Sequence, residues 1–194
     1  MLTRRGRLLP GGRYGPLISS VRGVRMAGYE SPNLRRAAQD YRDRGADVPP
    51  ADQAAFTAWL MPLVGRVDVV VVHEAALAEP AIEELRKTVP AQPLLVVEGH
   101  THRQAVVSRA GVIQVNGGTV GAGGTGDLDD GQPIGLAVVT YRAPQPGAFD
   151  PLAVDLVQVA PGTGEGSARR IRLDQGPVTV GDALAASPEP ASAR

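Results

Sequence analysis

Val67-Asp68-Val69-Val70-Val71-Val72-His73 is the stretch that decides the fold of this chain. It is a nearly unbroken run of β-branched residues, too apolar to alternate, so it reads as a strand covered on both faces. The run stops at His73-Glu74, and residues from about Ala75 to Lys87 follow with a helical pattern. Pro93-Leu94-Leu95-Val96-Val97 then repeats the theme as a second buried strand and stops at Glu98-Gly99-His100-Thr101-His102. Two strand–loop units therefore end in histidine, which predicts an α/β domain with a parallel sheet.

Upstream, Val21 to Gly28 alternates apolar with basic or small residues and suits a half-buried strand. Tyr29 to Asn33 is turn chemistry, and Leu34 to Arg44 forms a polar helix closed by Gly45. Pro49-Pro50 opens a second helix from about Ala51 to Val64. Its Phe56, Trp59, Leu60 and Leu63 share one face, which is core packing. Downstream the pattern changes to short strands: Gln104 to Arg109, Val112 to Val115, Gly135 to Tyr141, Val154 to Val159 and Arg169 to Leu173. Gly117 to Gly131 reads as a loop, and there is no internal repeat. The organisation is a flexible segment over 1–20, one domain over 21–175 and a flexible tail over 176–194.

With 194 residues, 43% of them hydrophobic, the chain can bury one core. Lys+Arg and Asp+Glu both number 20, so no overall basic field recruits nucleic acid or an anionic membrane. Cysteine is absent, which excludes disulfides, thiolate metal sites and a cysteine nucleophile. Any metal must be held by nitrogen and oxygen. No apolar stretch approaches the roughly 20 residues of a membrane span. Arg4-Arg5-Gly6-Arg7 runs into Pro10-Gly11-Gly12 instead of an apolar signal region, so the chain as given reads as cytoplasmic.

The chain has three histidines, and all three lie at the ends of its two most apolar strands. In open α/β sheets the loops beyond the strand ends are where ligands bind. Two imidazoles two residues apart, introduced by a glycine that lets the backbone turn, can point at one small volume and suit a divalent transition metal. Glu74 and Glu98 are the adjacent carboxylates. Neighbouring residues on a strand point to opposite sides, so both are expected to be solvated or salt-bridged. Arg103 reads as a surface arginine and Asn116 as a residue bonding its own turn. The glycines at 121, 123, 124 and 126 join no strand to a helix and read as turn, not phosphate cradle.

Gly99-His100-Thr101-His102 resembles the Gly-His-x-His motif of calcineurin-like metallophosphoesterases, and Val69-Val70-Val71-Val72-His73 resembles the preceding strand of that family with its single histidine. The resemblance covers roughly residues 20 to 160. It implies a partial αββα sandwich lacking its first strands, with the later β strands matching the second sheet. It further implies metal ligands His73, His100 and His102, the first two sharing one divalent ion (Mn, Fe, Zn or similar) and the third holding its neighbour. The substrate implied is a phosphate ester, hydrolysed by a two-metal-activated water.

The departure is as informative. The family's upstream Asp-x-His, Gly-Asp-x-x-Asp and Gly-Asn-His-Asp/Glu motifs do not occur in these residues. A two-metal site holds its ions about 3.5–4 Å apart and needs anionic bridging ligands, which three neutral imidazoles cannot supply. The chain therefore reads as a truncated phosphoesterase, weak or inactive as given, with no catalytic residue assigned. Two alternatives stand beside it. One is a non-catalytic binding or structural module, or a subunit, that keeps the scaffold. The other, a cupin-like single-metal protein, requires a Glu soon after the pair, and Arg103-Gln104-Ala105-Val106-Val107 has none.

Overall fold

Among the described residues, ten strands and two helices build three layers. A computed structural model describes residues 18–30, 48–119, 133–145 and 147–181. The expected helix over 34–44, most of the loop over 117–131, and the ends of the chain lie outside these residues. In chain order the elements are β1 (Ser19–Val21), β2 (Val24–Tyr29), α1 (Pro50–Leu60), a 3-10 turn (Met61–Leu63), β3 (Val69–Val72) and α2 (Ala75–Thr88). There follow β4 (Leu94–Glu98), β5 (Gln104–Arg109), β6 (Val112–Gly117), β7 (Ile134–Arg142), β8 (Asp150–Val159), β9 (Gly166–Arg172) and β10 (Val178–Val180).

One sheet has the order β1-β2-β3-β4-β6-β5-β10, and the second has the order β7-β8-β9. Strands β2, β3, β4 and β6 run parallel, while β1, β5 and β10 are antiparallel to their neighbours. Both helices pack on one face of the large sheet. There Phe56, Leu60 and Leu63 meet Leu77, Ile82 and Leu85 over Val70, Val96 and Val112. The three-stranded sheet covers the other face, with Phe149, Val154, Leu156 and Ile171 against Val69, Leu95, Val106 and Ile113. Of the later strands, β5 and β6 thus belong to the first sheet and β7 to β9 form the second. Among the described residues no helix lies over the second sheet, and none is long and apolar enough to cross a membrane.

Local chemistry explains the boundaries. The stretch expected as one strand from Val21 to Gly28 is broken by a tight turn at Arg22-Gly23, both with positive φ (49° and 85°), which folds β1 back on β2. Pro62 has no N–H to continue α1, so the helix tightens into the 3-10 turn. Pro80 sits inside α2 and leaves the Ala76 carbonyl without its helical donor; Gln53 Nε2 of α1 donates to that oxygen at 2.9 Å. Asp68 is wholly buried at the foot of β3, where its carboxylate accepts from the Arg25 backbone N–H (2.7 Å) and from Arg25 Nη2 (2.7 Å). Satisfied twice over, that charge fixes the β2–β3 register.

The domain continues past residue 175. Val178 to Val180 pair with Val106 to Ser108 as strand β10, so the first part of the segment expected to be a flexible tail closes the sheet edge. A second seam is made by Gln104. Its Nε2 donates to Gly117 O (3.3 Å), Leu136 O (3.0 Å) and Val157 O (2.8 Å), tying the two sheets together. Gly118 and Gly135 make room for it, since a Cβ at either would come within 2.9 Å of the Gln104 side chain or the Gly117 carbonyl.

Candidate metal centre

His73 follows the last valine of β3, and His100 follows β4 by one glycine, so parallel pairing carries both to the same edge of the sheet. The fold completes the approach: His100 Nδ1 lies 3.3 Å from His73 Nε2, with the rings edge to face at 78°. At that distance one ring donates a proton to the other. Gly99 lies against His73: its N–H donates to His73 O at 3.0 Å, and a Cβ there would meet His73 Nδ1 at 3.4 Å. Burial is the main influence that lowers the His73 pKa, helped by the charges of His100 and His102 and opposed by Glu74. The shift favours the neutral form of His73, the form that offers a lone pair to a metal.

The loop carrying His100 is held in an uncommon shape. His100 and His102 both have positive φ, 66° and 57°. The Thr101 N–H donates to Gly99 O at 2.8 Å, which closes a γ-turn centred on His100, a strained form for a residue with a Cβ. Asn116 of β6 braces that turn. Its Nδ2 donates to Gly99 O (2.8 Å) and to Thr101 Oγ1 (3.0 Å), and its Oδ1 accepts from the Gly118 N–H. Asn116 is buried and bonds its own turn, as the sequence suggests, and in addition reaches the histidine loop.

Of the two states expected for the neighbouring carboxylates, solvated or salt-bridged, burial removes the first. Glu74 is 6% exposed and Glu98 8% exposed. Glu98 shares the helix-side face with Val96, because side chains alternate along β4. There it accepts from Gln114 Nε2 at 3.0 Å, and Gln114 Oε1 accepts from Arg86 of α2. Burial pushes the Glu98 pKa up to about 7, with Glu79 adding to the rise and Gln114 and Arg86 opposing it. Alternation places Glu98 away from a strand's opposite face, but not in water, because a helix lies over its side. The partner Gln114, an amide set among Val112, Ile113 and Val115, is the signal that sequence reasoning passed over.

The three candidate ligands are therefore brought together unequally. His73 and His100 touch, while His102 lies within electrostatic reach of His73. Among the described residues no group of three or more His, Asp or Glu side chains is disposed to hold one ion. Two nitrogens 3.3 Å apart nevertheless fit one cation. The donor set suits a single divalent ion in part and does not supply the carboxylates of a two-ion centre. No family model matches this chain, and no curated protein or solved structure matches it either.

Proposed function

We propose that this chain is the histidine-bearing part of a metal-dependent phosphoesterase of the calcineurin-like type, with an incomplete metal centre in these residues. The observation that carries the reading is the 3.3 Å approach of His73 Nε2 to His100 Nδ1 at the carboxyl ends of adjacent parallel strands. The layer sequence of helices, mixed sheet and second sheet supports three of the four layers of an αββα sandwich. His73 and His100 would hold one ion such as Mn, Fe or Zn, and His102 stands ready for a neighbour. A bound ion supplies Lewis acidity and a water of lowered pKa for attack on a phosphate ester. The chain's own part is to favour neutral His73 by burial, to fix His100 through the strained turn, and to lock that turn through Asn116.

The test is metal binding alongside turnover. The purified chain should bind about one equivalent of Mn or Zn weakly, with His73→Ala and His100→Ala each lowering affinity at least tenfold. Hydrolysis of a chromogenic phosphodiester should stay near background. Vigorous metal-dependent turnover abolished by His100→Ala would overturn the incompleteness. Failure of the folded protein to take up metal would overturn the centre itself.

One observation favours a second reading, a non-catalytic scaffold or a subunit completed by another chain. Val71 is 45% exposed although β3 has parallel neighbours on both sides, where such strands are ordinarily covered on both faces. Co-purification with a protein that supplies carboxylate ligands would establish it.

A further inference from the structure

The face of β8 and β9 that looks toward the large sheet changes character along its length. Val154 pairs with Ile171, Leu156 with Arg169, and Gln158 with Ser167. Alternation puts all six on the inward side, where a sandwich is ordinarily apolar. Val154, Leu156 and Ile171 obey that rule and join the core. Gln158, Ser167 and Arg169 break it together. On the outward side at the same level the row is Leu136, Val157 and Ala168, so polarity is inverted across the sheet. Solvent exposure at a sandwich edge does not by itself put aliphatic residues outside and an arginine inside.

These inward polar residues line a cleft of about 250 Å³. Its facing wall is Gln104 of β5 with Val180 and Gly181 of β10 and its end. Gly181 has φ +80°, and a Cβ there would fall 2.1 Å from Gln104 O, so bare backbone forms that wall. Gln104 is committed to its three carbonyls and stands two residues beyond His102. The arginines of β9 differ in one respect. Arg170 makes a two-pronged pair with Asp155 (2.8 and 2.7 Å), and Arg172 pairs with Asp174. Arg169 has no carboxylate partner among the described residues.

We propose that this cleft binds a phosphate group, free or borne on a small molecule, through the Arg169 guanidinium with the Ser167 hydroxyl and the Gln158 amide. A planar fork of N–H donors matches two oxygens of such an anion, and a hydroxyl and an amide beside it complete a directional set. Leu156 and Val180 give the cleft an apolar floor for whatever carries the group. The inference does not depend on the histidine centre, and either can fail without the other.

Inorganic phosphate is the probe. It is titrated into the full chain at constant ionic strength while the arginine side-chain Nε–H resonances are followed by NMR. The expected result is a saturable shift that weakens at least tenfold in Arg169→Gln and changes less than twofold in Arg170→Gln, whose side chain is on the opposite face. Acetate should bind at least tenfold more weakly than phosphate. Should Arg169→Gln fail to fold, Arg169→Lys keeps the charge without the fork and should weaken phosphate severalfold. A non-saturating response, equal affinity in wild type and Arg169 variants, or acetate matching phosphate would overturn the site.

Discussion

The two faces of the seven-stranded sheet are finished differently. On the helix face even the polar side chains are enclosed: Arg86, Gln114 and Glu98 bond one another beneath α2, and Phe56, Leu60, Leu77 and Ile82 have no exposed surface. On the other face the second sheet covers Val69 and Leu95, yet Val71 stands 45% exposed between them and the histidines. The difference separates labour in the molecule. Stability resides where burial is complete, and the histidine edge proposed as a metal centre lies where cover stops.

The largest expected effect would break this comparison outright if it failed. Leu77→Ala, in the helix layer, should cost about 3 kcal/mol in urea denaturation, as a fully buried leucine does when a cavity replaces it. Val71→Ala should cost less than about 1 kcal/mol, because much of its side chain is already in water. Equal losses would mean that the two faces are equivalent.

An intermediate effect is expected from the polar network on the same helix face. Glu98 titrates near 7 in the folded chain against 4.5 for an unburied glutamate, so the fold favours its protonated form. That contribution is complete below about pH 4.5 and is lost as pH rises through about 7. Glu98→Gln removes the titration, so its stability should fall less than that of wild type between about pH 5 and about pH 8. At the alkaline end the variant should be the more stable by roughly 1–2 kcal/mol. Parallel pH curves for the two proteins would show that Glu98 is not held neutral by burial.

The smallest effect sharpens the picture of the histidine edge. His100→Gly and His100→Ala both delete the imidazole, but only glycine accepts φ 66° freely. The glycine variant should therefore be the more stable by about 1 kcal/mol. The reverse order, measured by thermal melting, would place no strain in that turn.

Much of this arrangement was legible in the residues. The valine run and its echo at Leu94–Glu98 sit side by side in parallel, and the aromatic face of α1 is core, because uninterrupted burial leaves a strong compositional mark. Convergence of His73 with His100 followed from strand ends, which parallel pairing brings to one edge. What was not legible depended on partners remote in sequence. Glu98 is buried because α2 lies over it, and Val178–Val180 is a strand because β5 offers it an edge, though its local composition resembles a tail. The Arg22-Gly23 turn was missed because an arginine seldom adopts positive φ. Likewise Arg169 and Ser167 are exposed positions, and only pairing with β8 shows that they face the side of the large sheet.

Gln104 has one more implication. Its amide carries two protons and confronts three carbonyl oxygens drawn from both sheets. Sliding one sheet past the other by a single residue would strand those oxygens, so the layers are indexed like a ratchet with one permitted notch. Breathing of the sandwich at that end requires the amide to release the Leu136 and Val157 carbonyls together, which couples two strands of the second sheet in one event there.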